Sequence, residues 1–228
     1  MQTLTAVAHR GAPYRFRENT LGSLRAALAL GADSVEFDVR LTRDGVPVLL
    51  HDATLKRLWE LDRPLRSLSA DEVRGLTAGG VPTLAEALAA TEGTRVMIDL
   101  PGTRDVRQAR RVVDAVREAG AGDRAYYCAG AEEMLAVRAA DPSAEIALTR
   151  TSLAPPRPVL LDTVKPRWLN YRFSLVDRAL AERVHRGGRL LSVWTPDTRR
   201  SMRRLIELGV DSITTNRIDV LTGLRDAS

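Results

Sequence analysis

Eight short apolar runs recur along the chain, and amphipathic helical stretches separate nearly all of them. The runs are TAVAHR, SVEFDV with PVLLH, RVMIDL, AYYCAG, EIALTR, RWLNYR, LLSVWT and SITTNR, the split second run being counted once. Between them lie the helical patterns TLGSLRAALALG, TLAEALAATEG, DVRQARRVVDAVREAG, AEEMLAVRAADP, SLVDRALAERVHRGG and TRRSMRRLIELG. Strands that alternate with helices pair in parallel, and eight such units predict a closed (β/α)8 TIM barrel. An open doubly wound sheet is the competing arrangement, but neither GxGxxG nor GxxxxGK[ST] occurs.

The punctuation agrees with this division. Gly31, Gly120, Gly187 and Gly209 are expected to close helices, and Thr20, Thr83 and Ser174 to cap or nearly cap them. Thr83 and Glu86 have the spacing of a capping box. The stretch APPRPVLLDTVKP, with four prolines, predicts only a short helix or coil. No linker-like break in composition appears, so residues 1–228 are expected to form one domain. Residues 59–80 carry the least pattern and are expected to form a lid or small excursion after the second strand.

Of the 228 residues, 44% are hydrophobic and only 4% aromatic, which predicts an aliphatic core. The net charge is +5, carried almost wholly by arginine; the only lysines are Lys56 and Lys165. The arginines are interspersed with acids on helical stretches, as on a solvated helix face. No zinc finger, basic arm or basic-aromatic stripe is present, so specific nucleic-acid binding is not expected. Cys128 is the single cysteine, which excludes an intrachain disulfide, and its YYCAG context predicts a buried thiol. The first residues lack a signal peptide and no membrane span is evident, so a cytoplasmic location is the expectation. Oligomeric state is not encoded in any pattern the chain displays.

Chemistry concentrates at the ends of the apolar runs. Glu36 and Asp38 are two apart in VEFDV and face the same way along a strand, with Val35, Phe37 and Val39 on the other face. Two carboxylates so close repel each other and lose hydration on burial, a conflict that a cation resolves. An arginine network through Arg10 or Arg40 is the alternative. Asp99 adds a third acid at the end of RVMID, and strand ends of a barrel converge on one mouth. Three carboxylates without cysteine favour a hard divalent ion, Mg²⁺ or Ca²⁺.

His9 and His51 also close apolar runs and suit paired proton transfer, whereas His185 falls in a helical stretch and is assigned to packing or surface. Arg10 can grip an anionic oxygen, Asn19 can hold a loop or orient a ligand, and Asp44 marks a turn. Trp194 can cover a ligand's carbon skeleton or serve as a plain core residue. A hard cation, two histidines and an arginine at one mouth suit cleavage of a phosphate ester.

In order along the chain, AHRG, RENT, GADSVEFDVRLTRDGVPVLLHD, VPTLAEAL, VWTPD and ELGVDSITTNRIDVL resemble the glycerophosphodiester phosphodiesterase family over nearly the whole sequence. The resemblance implies a TIM barrel that cleaves glycerophosphodiesters to glycerol 3-phosphate and an alcohol with a divalent metal. By position it implies that His9 and His51 are the acid-base pair, and that Glu36, Asp38 and Asp99 hold the metal. It also places Arg10 on the phosphate and Trp194 on the glycerol. Related phosphodiesters such as lysophospholipids are the alternative substrates, and a non-catalytic phosphodiester-binding protein is the alternative function.

Three departures from the family pattern stand out. Asp99-Leu100-Pro101 replaces Glu-x-Lys, TTNR replaces TDRP, and VWTPD replaces VWTVN. The last two are expected to touch the rim more than the reaction centre. The short region after His51-Asp52 predicts an open mouth or a reduced cap.

Overall fold

The computed structural model describes residues 4–225. Its first strand, β1 (Thr5–His9), is followed by helix α1 (Leu21–Ala29) and strand β2 (Ser34–Leu41). A short strand β3 (Pro47–Leu49) folds back antiparallel on β2. The excursion contains α2 (Lys56–Trp59) and α3 (Ala70–Leu76), and leads to α4 (Leu84–Ala90). Five further units follow: β4 (Arg95–Asp99) with α5 (Val106–Glu118), β5 (Ala125–Ala129) with α6 (Ala131–Ala140), β6 (Ile146–Arg150) with α7 (Pro158–Val164), β7 (Trp168–Arg172) with α8 (Arg178–Arg186), and β8 (Leu190–Trp194) with α9 (Arg199–Glu207). Strand β9 (Ser212–Thr215) and helix α10 (Ile218–Arg225) complete the described chain.

The strands run in the order β1-β9-β8-β7-β6-β5-β4-β2, and β1 pairs in parallel with both β2 and β9. That pairing closes the ring into the eight-stranded TIM barrel that the sequence pattern predicts. Alternation on β2 separates two environments. Val35, Phe37 and Val39 are fully buried against the helical layer, while Glu36 and Asp38 point inward. Below them Val7, Met97, Tyr126, Cys128, Ala147 and Trp168 fill the barrel interior.

Local chemistry sets the helix ends. The capping box at Thr83 and Glu86 is formed in both directions, and Thr20 caps α1 by accepting from the Ser23 amide. Such caps contribute about 1 kcal/mol each. In α5 the residues Ala109, Val112, Val113 and Val116 form the buried stripe, and Asp105 is the cap. One expectation needs correction. Asp177, not Ser174, caps α8, because Phe173–Leu175 forms a separate 3-10 turn before it. Gly187 caps the end of α8 as expected, and the left-handed residue is the next one, Gly188 (φ 69°).

The segment from 59 to 80 is more ordered than its pattern suggests. Leu50, Leu55, Leu65, Leu68, Val73 and Val81 form a satellite apolar cluster beneath it. Ser69 and Glu72 cap α3 reciprocally. Helices of four and seven residues are too short to display a period, so their apolar residues read as irregular. Among the described residues, no helix is long and apolar enough to cross a membrane.

Candidate active site

The register of three neighbouring strands assembles the acids. His9 on β1 is level with Glu36 on β2, and Asp38 on β2 is level with Asp99 on β4. One carboxylate oxygen from each of Glu36, Asp38 and Asp99 lies within 4.8 Å of the other two. The site opens into a cavity of about 440 Å³ whose walls include His9, Arg10, Glu36, His51, Asp99 and Trp194. The structure therefore gathers the predicted residues at one barrel mouth, with Asp38 buried just behind the wall.

The acids are under electrostatic stress. Burial, then the charges of Asp38 and Asp99, push the Glu36 carboxyl well above the usual range, and Arg10 only partly offsets them. Burial, then Asp38, raise Asp99 to about 7. Asp38 Oδ1 is buried without a hydrogen-bond partner. A buried orphan oxygen beside two carboxyls that resist ionisation is the environment a hard cation relieves. This donor set fits such an ion.

Arg10 flanks the acids without neutralising all of them. Its amide donates to Glu36 Oε2 at 2.9 Å, its Nη1 donates to Glu18 Oε1 at 2.9 Å, and its Nε lies 3.0 Å from Asp38 Oδ2. That last approach lacks hydrogen-bond alignment, since Arg10 Nε has no partner by geometry. Burial opposes the Arg10 charge, but Asp38, Glu36 and Glu18 outweigh it and keep the group cationic. Arg10 and Gly11 both adopt left-handed backbone, at φ 56° and 84°. A Cβ on Gly11 would stand 2.5 Å from the backbone carbon of Ser23, so this turn admits only glycine. Asn19 clamps Asp38 from behind: its Nδ2 donates to Asp38 Oδ2 at 2.8 Å and its Oδ1 accepts from the Asp38 amide at 3.2 Å.

Each histidine has a fixed partner. His51 Nδ1 is 2.8 Å from Asp52 Oδ1. Arg57 in turn donates to Asp52 Oδ2 and to Glu18, so one ion-pair chain links His51 to Arg10. On the other side, His9 Nδ1 is 2.7 Å from Asn216 Oδ1. Asn216 donates through Nδ2 to Asp197 Oδ2 at 2.7 Å, and its amide donates to Asp197 Oδ1. With the Asn216 amide spent on Asp197, its carbonyl oxygen faces the ring, which assigns the proton of His9 to Nδ1. Burial, then Arg10, lower the His9 pKa, so the ring is neutral and its Nε2 keeps a lone pair, 4.0 Å from Glu36 Oε2.

The profile of the glycerophosphoryl diester phosphodiesterase family matches residues 9–220. The chain belongs to this family. It is 27% identical to the glycerophosphodiester phosphodiesterase of Caldanaerobacter subterraneus subsp. tengcongensis, across 98% of both chains. Solved phosphodiesterases share its fold. The Thermotoga maritima enzyme matches with a TM-score of 0.83 at 22% identity, covering 98% of this chain and 99% of that one. A phosphodiesterase from Oleispira antarctica, in complex with the product sn-glycerol-3-phosphate, matches with a TM-score of 0.85 at 22% identity, covering 99% and 98%.

Against the glycerophosphodiesterase pattern, one expectation fails. The TTNR and VWTPD departures do not stay on the rim. Asn216 and Asp197 are bonded to each other, and Asn216 reaches His9. Asn216, Asp197, Asp52 and the Glu18–Arg57 pair went unassigned in the sequence. The signal that could have found them was that the two altered motifs change in opposite senses, one losing an acid and the other gaining one. Asp44, His185 and Cys128 lie where the sequence suggests. Asp44 caps the turn by accepting from Thr42 and Ala70. His185 pairs with Asp211, whose carboxylate also accepts from the Leu191 amide at the start of β8, the end of the barrel away from His9. Cys128 is buried, and burial, then Asp99, raise its thiol far above neutrality, so it is inert as a nucleophile.

Proposed function

We propose that this protein is a metal-dependent phosphodiesterase that hydrolyses glycerophosphodiesters to glycerol 3-phosphate and an alcohol, and that residues 1–228 act as one catalytic domain. The observation that carries this reading is the convergence of Glu36, Asp38 and Asp99 to within 4.8 Å, in one cavity with His9 and His51. Glu36, Asp38 and Asp99 would hold one divalent ion, Mg²⁺ or Ca²⁺. That ion would supply Lewis-acid stabilisation of charge on a phosphoryl oxygen.

In this reading Arg10 grips a second phosphoryl oxygen and Trp194 covers the glycerol carbons. His9, neutral and with Nε2 free, takes the proton from the glycerol hydroxyl next to the phosphate. That hydroxyl oxygen bonds to phosphorus, and the bond from phosphorus to the alcohol breaks. His51 gives its Nε2 proton to the departing oxygen, and the Asp52 carboxylate compensates the imidazolium beforehand. The cyclic phosphate is then opened by water with the roles exchanged: His51 takes the water proton and His9 protonates the glycerol oxygen. A tethered nucleophile spares most of the entropic cost of bringing two molecules together.

The test is turnover of glycerophosphocholine, glycerophosphoethanolamine and glycerophosphoglycerol with Mg²⁺, with Ca²⁺ and with chelator. Release of glycerol 3-phosphate that chelator abolishes supports the reading. Absence of turnover on any diester with any ion rejects it, and ligand binding without products would point to a non-catalytic binding protein. One observation favours lysophospholipids as further substrates: Tyr14 and Phe16, on the loop that follows Arg10, are 70% and 51% exposed. Lysophosphatidylcholine in the same assay tests that extension.

A further inference from the structure

A second cavity, also of about 440 Å³, adjoins the first, and Pro101 lines both. The two differ in charge. Glu36, Asp99 and Glu133 line the first, whereas no aspartate or glutamate lines the second. Its polar walls come from Arg40, Arg66, Thr54, Thr103 and Gln108. Among the described residues, neither arginine has a carboxylate within ion-pair distance.

Arg40 is aimed by the same alternation that aims the acids. It follows Glu36 and Asp38 on one face of β2, about 7 Å beyond Asp38 along the strand. Asp38 pairs with Asp99, and continuing that register two residues sets Arg40 opposite Pro101. Its Nε donates to the backbone oxygen of His51 at 2.7 Å, which holds the guanidinium at the boundary of the two cavities. Its Nη1 lies against the 101–103 loop, 3.7 Å from where a Cβ on Gly102 would stand. A half-buried guanidinium that borders hydroxyls and an amide, and feels Asp38, Asp52 and Asp99 only from beyond ion-pair distance, is arranged to receive an anion. Two arginines, two threonines and a glutamine offer enough donors for the three outer oxygens of a phosphate.

We propose that this second cavity binds the leaving-alcohol side of the substrate and selects an alcohol that bears a phosphate of its own, held by Arg40 and Arg66. The inference rests on the phosphodiesterase reading above and specifies its substrate class.

The experiment compares kcat/KM for three diesters that differ in the charge of the alcohol: glycerophosphocholine, glycerophosphoglycerol and glycerophosphoglycerol 3′-phosphate. The phosphorylated alcohol is expected to exceed the neutral one by at least about tenfold, the worth of one charge-assisted contact. In the Arg40→Gln/Arg66→Gln variant that ratio is expected to fall to about one. Using the ratio removes any general loss caused by Arg40 lying near the acids. Arg66→Gln alone, at an exposed position, gives an intermediate ratio even where the double variant folds poorly. Equal kcat/KM for the neutral and phosphorylated alcohols in the wild type, or a preference that survives both substitutions, overturns the proposal. Failure to turn over any of the three would instead sink the phosphodiesterase reading beneath it.

Discussion

His9 Nδ1 and Asn216 Oδ1 lie 2.7 Å apart although 207 residues separate them in the chain. A neutral amide, backed by the Asp197 carboxylate, thus fixes the tautomer of the imidazole that borders the acids. Asn216→Asp would set a carboxylate against both His9 and Asp197. The carboxylate favours the imidazolium, so the acid limb of the pH profile of kcat/KM should move to higher pH, with kcat reduced roughly tenfold near neutrality. Pairing it with Asp197→Asn removes the repulsion between the two carboxylates but keeps one against His9, so the geometry should recover while the shift of the acid limb persists. A cycle in which the two substitutions add independently would refute the coupling.

The acids predict a pH-dependent response to metal. Asp99 is raised to about 7 and Glu36 is raised as well, so the folded apoprotein holds protons that the unfolded chain releases at much lower pH. The stability tied to those protons is fully present only below the unfolded carboxyl value of about 4, and it is lost progressively as pH rises from there through the folded-state values. A divalent ion replaces the protons. It should therefore raise Tm by roughly 5–10 °C at about pH 8 and by much less at about pH 5.5. Thermal unfolding with Mg²⁺, Ca²⁺ and chelator measures this; an equal shift at both pH values contradicts it.

Loss of either imidazole should reduce turnover without unfolding the barrel. His9→Ala and His51→Ala are each expected to lower kcat by roughly 10²–10⁴-fold. Asp52→Asn keeps the shape but removes the compensating charge on His51, and should cost less than His51→Ala. Steady-state kinetics with far-UV circular dichroism separates a lost proton-transfer group from a lost fold.

The turn at Gly11 is a backbone requirement. Gly11→Ala places a Cβ 2.5 Å from Ser23 backbone and forces a left-handed conformation on alanine. It should cost about 1–3 kcal/mol or more and displace Arg10 and Glu36, whose contact runs through the Arg10 amide. A urea titration reads the stability, and phosphate inhibition reads the Arg10 side chain. A fully active and equally stable Gly11→Ala protein would contradict this account.

The barrel was legible because its units are periodic. The run VEFDV shows both faces of β2 at once, and the ends of β1, β2 and β4 had only to converge for the acids to meet. Less was legible where the deciding partner lies far away. Nothing near Asn216 or Asp197 announces that each bonds the other, and the role of Asn19 depends on its left-handed backbone (φ 57°) as well as its proximity to Asp38. The short helices of the excursion were hidden for a different reason: their order comes from the satellite cluster they cover, and not from any repeat of their own.

Strand β1 sits between β2 and β9, the second and ninth strands among the described residues. A growing chain exposes the acids and both histidines of the site well before it can seal the ring or seat Asn216, because both steps wait for β9. A chain interrupted before β9 would lack both the closed ring and the partner of His9. The site is therefore complete only when β9 pairs beside β1.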